Sequence, residues 1–135
     1  MKFSVEKEDI IHQLQSLAAV ADKKQTLPIL SNVYMRCENN KLVLKSTDLE
    51  VELEFNCSVN TVQEGEITIP SKKVADIVRE LPEGTIKFEF NEDSGKMQVQ
   101  SSTGKYNLAT QVAGDFPDFD TVPSDTVFSI NSDSL

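Results

Sequence analysis

The sequence predicts an α+β fold, and three observations support that prediction. The chain has 135 residues, of which 39% are hydrophobic and 26% are charged, enough for one domain with its own core. Alternating segments typical of β-strands surround two segments with the apolar spacing of helices. The order of strand, helix and further strands occurs twice and then starts again, with Phe3, Ile67 and Phe128 in equivalent places about 60 residues apart. The pattern therefore predicts a βαβββ unit that is used twice.

The first unit is predicted to span about residues 1–62. Its helix follows a short strand at 2–5 and has one apolar face, formed by Ile10, Leu14, Leu17, Ala18 and Ala21. Three strands are then expected, at 29–37, 41–46 and 49–55. Asn39-Asn40 is expected to form a tight turn between the first two. In the last one, Leu49, Val51, Leu53 and Phe55 alternate with acidic residues, which indicates a strand with one face on the core.

The second unit is predicted to span about residues 63–122. A strand at 65–70 leads to Ser71, a good helix N-cap. The apolar stripe of the helix that follows comprises Val74, Ile77, Val78 and Leu81. Its strands are expected at 86–90, 96–101 and 105–110. Residues 123–135 are predicted to be a linker and the start of a truncated second domain, so we expect the chain to be a piece of a longer protein.

The charge of the chain argues against a simple nucleic-acid-binding protein. Thirteen basic and 22 acidic residues give a net charge of −9, and residues 106–135 contain five acids and no base. A phosphate backbone is repelled by such a field. Two lysine pairs, Lys23-Lys24 and Lys72-Lys73, form local basic spots in this acidic chain. Packing of the two units side by side would bring both pairs to one surface. A nucleic-acid role would therefore depend on a local patch or on topology.

No catalytic or cofactor motif is present in the sequence. It has no phosphate-binding loop, nucleophile elbow or dinucleotide fingerprint, and its one histidine, His12, lies on the polar face of the first helix. We expect no cofactor. One alternative stays open, a metal-dependent hydrolase that uses Asp48, Glu50 and Glu52. Along one strand face Glu50, Glu52 and Glu54 would lie about 6–7 Å apart, which is wide for a single ion.

Cysteine usage and hydropathy indicate a cytoplasmic protein. Cys37 and Cys57 form no C-x-x-C motif, so a zinc site is not expected and two reduced thiols on strands are favoured over a disulfide. No apolar stretch is long enough for a membrane span, and the N-terminus does not resemble a secretory signal.

Several segments together resemble the N-terminal part of bacterial DNA sliding clamps, the beta subunits of DNA polymerase III. The most specific of them are Thr26-Leu27-Pro28-Ile29-Leu30 and Thr47-Asp48-Leu49-Glu50. Ile69-Pro70-Ser71-Lys72-Lys73, Leu81-Pro82-Glu83-Gly84 and Asp115-Phe116-Pro117 also match, in the same order. The resemblance covers essentially the whole chain.

This resemblance implies a ring of two three-domain chains that encircles duplex DNA, with helices facing the central hole and sheets outside. The ring would be a head-to-tail homodimer that tethers the DNA polymerase III core and is placed by a clamp loader, both of which bind mainly to domains two and three. This chain would supply the first domain. No catalysis is implied.

The resemblance also implies roles for individual residues. Lys24 and Lys72 match positions that contact DNA. The seam with the neighbouring subunit is matched by Tyr106 and Leu108, with three lysines as ion-pair donors: Lys73, Lys96 and Lys105. An acidic protein-interaction module unrelated to replication is the second alternative that the sequence leaves open.

Overall fold

The α+β prediction is confirmed by a computed structural model, which describes residues 1–21 and 28–117. Within these residues, two α-helices pack against nine strands. The helices are α1 (Lys7–Ala21) and α2 (Ser71–Glu80). The strands are β1 (Lys2–Glu6), β2 (Asn32–Glu38), β3 (Lys41–Thr47), β4 (Glu52–Ser58), β5 (Asn60–Gln63), β6 (Gly65–Pro70), β7 (Thr85–Asn91), β8 (Lys96–Gln100) and β9 (Lys105–Ala109). The third predicted strand-helix opening, at 127–130, lies outside the described residues.

The two units exchange their first strands. In one sheet the order is β4-β3-β2-β6, so the first strand of the second unit extends the sheet of the first unit. In the other sheet the order is β5-β1-β7-β8-β9, so β1 pairs with the second unit through β7. All of these pairs are antiparallel. Each sheet therefore needs both units, which makes the described chain one cooperative body rather than two adjacent modules.

The core lies between the helices and the inner faces of both sheets. Phe3 of β1 and Phe88 of β7 are buried and stacked, with ring centroids 4.9 Å apart, directly across the strand pair that joins the two units. The predicted stripe of α1 faces this core: four of its five residues are buried and Ala18 is half-buried. The predicted stripe of α2 also faces the core, and only its Ile77 is half-buried rather than buried. Ala75, which was not part of the predicted stripe, is buried as well.

The two helices are antiparallel neighbours. The Lys7 ammonium, at the start of α1, donates hydrogen bonds to the carbonyl oxygens of Arg79 (3.0 Å) and Leu81 (2.6 Å), at the end of α2. Carbonyl groups at a helix C-terminus have no intrahelical partner and carry partial negative charge, so a lysine there stabilises the helix. At the opposite end, Ala18 and Ala21 of α1 border the first turn of α2. The helices therefore form one layer on one side of the sheets.

The predicted turn at Asn39-Asn40 is confirmed. Both residues have positive φ, 52° and 62°, and Glu38 pairs directly with Lys41 on either side of them. Two successive left-handed residues match the twist of a two-residue hairpin, and asparagine tolerates that conformation better than most residues.

The strand predicted at 49–55 begins three residues late. Leu49 and Val51 are 52% and 48% exposed, and β4 starts at Glu52. The Asp48 carboxylate accepts hydrogen bonds from the backbone amides of Glu50 and Val51 (3.0 and 2.8 Å), which holds this segment in a turn and leaves Leu49 at φ 78°. Local side-chain bonds of this kind compete with strand pairing. Leu53 and Phe55 do pack against the core, as predicted.

Two other local predictions are wrong. The strand expected from Ile29 begins at Asn32, because Pro28–Ser31 forms a 3-10 turn that buries Ile29 and Leu30 against Phe116. Ser71 is the first helical residue rather than the N-cap: Pro70 occupies the N-cap position, and no side chain caps the helix. Strand β5 was not predicted, since Asn60–Gln63 has only one large apolar residue, the exposed Val62.

Both cysteines are free and buried. Leu42 of β3 pairs with Cys37 on one side and with Cys57 on the other, so a whole strand separates the two thiols. Two strand spacings amount to about 10 Å, too far for a disulfide. Burial raises the pKa of Cys57 from 9.0 to about 12, with a smaller contribution from the nearby Asp9 carboxylate.

We expect the chain to lose stability between about pH 9 and pH 12 as a consequence. In this window the Cys57 thiol ionises in the unfolded chain but stays protonated in the folded one, so each added pH unit lowers the free energy of unfolding by up to about 1.4 kcal/mol. Urea unfolding across this range, compared with Cys57→Ala, measures the effect. The variant should show a shallower decline, and equal slopes would contradict the prediction.

Candidate nucleic-acid interface

The outward surface of the helix layer is polar and divided by charge. Exposed residues on α1 are Glu8, Asp9, His12, Gln15, Ser16 and Ala19, and those on α2 are Lys72, Lys73, Arg79 and Glu80. Because the helices are antiparallel, the acids that begin α1 lie at the same end as the last turn of α2. The lysines that begin α2 lie at the other end, next to Ala18 and Ala21. The two exposed lysines thus lie at one end of the layer, whereas Arg79 lies at the other end together with the acids that begin α1.

A cavity of about 330 Å³ lies at this basic end. It is lined by both lysines of the predicted Lys72-Lys73 pair, by Ala18 and Ala21 of α1, and by Asp76 one turn further along α2. The Asp76 carboxylate is 3.5 Å from the Arg79 guanidinium, which offsets part of its charge. Lys24, the other predicted DNA contact, lies outside the described residues, as does Lys23.

The local sequence explains why this end of α2 is open and positive. Pro70 ends β6 and has no hydrogen-bonding side chain, and the first turn of α2 contains no acid. The leading N–H groups of a helix lack intrahelical partners and carry partial positive charge. Two exposed lysines add to this charge, so the cavity is a favourable place for an anion.

The residues predicted for a subunit seam lie on β8 and β9. Strand β9 is the last strand of its sheet and, among the described residues, pairs only with β8. Lys96, Lys105 and Tyr106 are exposed, Tyr106 by 41%. Leu108 is different: it pairs with Met97 and is only 5% exposed in the main core. The structure gives Leu108 a core role, and its place in a seam stays a prediction. Lys73 lines the α2 cavity instead of lying on these strands.

The geometry required for the alternative carboxylate site is not found among the described residues. Asp48 and Glu50 lie in the turn before β4, and only Glu52 belongs to the strand. Within residues 1–21 and 28–117, no three histidine, cysteine or acidic side chains are placed to hold a metal ion together. His12 is exposed on α1, as predicted. Nor does either helix in these ranges have the length and apolar composition needed to cross a bilayer.

Of two residues that shape this surface, the sequence interpretation missed one and gave the other a wrong role. Lys7 caps the end of α2 across 72 and 74 residues of sequence, and no local pattern indicates so distant a partner. Ser71 was noticed, but in the wrong role: it is 2% exposed and its hydroxyl oxygen has no hydrogen-bond partner. The signal that could have corrected this is the preceding Pro70, a residue whose lack of an N–H suits a helix boundary.

Comparison with known proteins agrees with this arrangement. The family model described as DNA polymerase III beta subunit, N-terminal domain, matches residues 1–120. The chain belongs to this family. Over its whole length it is 36% identical to a beta sliding clamp from Pseudomonas aeruginosa and 36% identical to one from Vibrio harveyi.

Solved clamp structures share the fold. A Caulobacter crescentus pol III beta structure superposes with a TM-score of 0.85 at 30% identity, covering 90% of this chain. A Pseudomonas aeruginosa sliding clamp bound to griselimycin superposes with a TM-score of 0.84 at 37% identity, covering 91% of this chain. The predicted clamp fold is therefore confirmed. The chain spans 33% of each of those structures, 37% of the Pseudomonas relative and 93% of the Vibrio relative.

Proposed function

We propose that this chain forms part of the inner wall of a ring that encircles duplex DNA and tethers DNA polymerase III. One observation carries the proposal: α1 and α2 lie side by side in a single layer, with Lys72 and Lys73 at one end of its exposed face. A polar helix layer backed by two sheets is suited to face a duplex without reading its bases, because lysines contact phosphates and carry no sequence information.

The acidity of the chain fits retention by topology. Each neutralised phosphate contributes about −0.9 to the slope of log affinity against log salt, so a few lysines give weak binding that salt disrupts. Weak binding is sufficient for a closed ring, because the ring itself retains the DNA and weak contacts allow it to slide. The net charge of −9 keeps duplex away from the remaining surface.

The proposed partners follow from the same assembly. The ring is a head-to-tail homodimer in which the β9 edge, with Tyr106 and Lys105, meets the third domain of the neighbouring subunit, with Lys96 and Lys73 as further ion-pair donors. Lys24 and Lys72 are the proposed DNA contacts. The polymerase core and the clamp loader bind mainly to the other domains, in the cytoplasm. We propose that the chain tethers and does not catalyse.

A ring chimera tests the DNA contact. In it, this chain replaces the segment of the Pseudomonas aeruginosa clamp to which it aligns over its whole length. We expect Lys72→Glu to reduce the salt slope of DNA association by about one phosphate contact, and to shorten residence on DNA at low salt. Fluorescence anisotropy with circular, singly primed DNA across a salt series measures both quantities.

Lys87→Glu is the matched control for this experiment. Lys87 is exposed on β7, between the buried Ile86 and Phe88, so it points away from the helices and its reversal makes the same change in net charge. Equal effects of the two variants would reject a specific role of Lys72. The 135-residue chain alone should show negligible duplex binding at about 150 mM salt, and sub-micromolar affinity there would contradict retention by topology.

A further inference from the structure

The buried hydroxyl of Ser71 is not explained by the packing of the fold. Ser71 is 2% exposed, and its Oγ is buried and has no hydrogen-bond partner. The residue is one of those that line the cavity at the start of α2. A buried polar group without a partner costs about 1–3 kcal/mol of stability. Such groups in a folded protein call for an explanation, and a bound ion is one of them.

The surroundings of Ser71 favour an anionic ligand and leave room for one. The uncapped first turn of α2 offers backbone N–H groups, and Lys72 and Lys73 border the same cavity. All of these groups donate hydrogen bonds, and a serine hydroxyl can donate one more. The volume of about 330 Å³ is roughly ten times the share of one water molecule in the liquid, so a tetrahedral oxyanion fits.

We propose that this cavity is a phosphate subsite, in which the Ser71 hydroxyl and the first-turn amides of α2 bind the oxygens of one phosphate group. Lys72 and Lys73 neutralise its charge, while Asp76 limits affinity and so keeps the contact short-lived. The identification of the ligand as a backbone phosphate of DNA rests on the proposed function. The subsite itself rests on Ser71 and the uncapped helix. Binding at this subsite differs from a simple lysine–phosphate contact because it also requires the uncharged side chain of Ser71.

The test is an NMR titration of the 15N-labelled 135-residue chain at constant ionic strength. Inorganic phosphate replaces chloride in one arm, and a short DNA duplex is added at low salt in the other. We expect the amide signals of residues 71–74 to shift and saturate at millimolar phosphate. Ser71→Ala should weaken phosphate binding by at least about tenfold, the lower end of the value of a hydrogen bond to a charged group. Asp76→Asn should strengthen it.

Two controls separate binding from structure. Ser16→Ala, on the exposed face of α1, should leave phosphate affinity unchanged. The thermal midpoint of Ser71→Ala without phosphate should equal or exceed that of the parent chain, because the substitution removes a hydroxyl with no partner. A lowered midpoint would indicate that the hydroxyl is structural and would overturn the proposal.

The two arms distinguish the inference from the proposed function. In one outcome, phosphate binding saturates and is weaker in Ser71→Ala, but the duplex causes no shifts. This result would retain the subsite for free phosphate and count against DNA as its source. A duplex response with phosphate shifts that never saturate, or that are equal in Ser71→Ala, would overturn the subsite and leave the proposed function intact. Responses in both arms that Ser71→Ala weakens together would support both.

Discussion

Phe88→Ala is expected to lower the free energy of unfolding by about 3–5 kcal/mol, a large fraction of the stability of a domain of this size. Phe88 is fully buried and its ring stacks on Phe3 at 4.9 Å. Both strands that carry these rings belong to the pairing between the two units. The substitution removes apolar contact at the place where the units exchange strands, so both sheets should be affected.

Urea unfolding followed by circular dichroism and by hydrogen exchange measures this effect. Val62→Ala is the matched control, since Val62 is 65% exposed on β5 of the same sheet and should change stability by no more than about 0.5 kcal/mol. Exchange should accelerate in both sheets of Phe88→Ala. Protection retained in the β4-β3-β2-β6 sheet, with loss only in the other, would show that the units unfold independently and would contradict the cooperative body described above.

The sequence predicted the parts of this fold that depend on local periodicity. The stripes of α1 and α2, the Asn39-Asn40 hairpin and the alternation of β7 were all read correctly, because a helix or strand with one buried face must repeat apolar residues with its own period. The exchange of β1 and β6 could not be predicted in this way. Strand pairing between the units is set by contacts between residues distant in sequence. Such contacts produce no periodic pattern in the local sequence.

The failures at 48–51 and at Ser71 have one physical origin. Alternation in Leu49 and Val51 is compatible with a strand, but the Asp48 carboxylate accepts hydrogen bonds from the amides of Glu50 and Val51, and such local bonds compete with strand pairing. Serine is a frequent N-cap, but Pro70 precedes it at the helix boundary. In both cases a neighbouring side chain determines where the element begins. The intrinsic preference of a single residue type does not take that neighbour into account.

The candidate site was partly visible in the sequence. Lys72 and Lys73 were identified from their charge against an acidic background, and the structure brings them to the end of α1, on the cavity at the start of α2. The cavity itself, and the unpartnered Ser71 hydroxyl in it, result from packing between α1 and α2. Positions of this kind are specified by tertiary contacts, which a composition or spacing pattern does not contain.

Tyr106→Asp is expected to open the proposed ring. Tyr106 is 41% exposed on β9, the edge strand that we propose meets the neighbouring subunit. Truncating an aromatic residue at the centre of an interface and placing a charge there commonly costs more than 2 kcal/mol. In the ring chimera, we therefore expect the dissociation constant of the dimer to rise by at least about 30- to 100-fold. Sedimentation equilibrium over a dilution series measures that constant.

The exposed position of Tyr106 makes this test specific to assembly. Its replacement removes little core contact, so the thermal midpoint of the 135-residue chain should shift by only a few degrees. Val62→Asp introduces the same charge at a more exposed apolar residue on β5, the opposite edge of the same sheet, and should leave the dimer intact. If the two variants dimerise equally well, β9 is not the seam. If only Tyr106→Asp dissociates, the unpaired edge of β9 is where the ring closes.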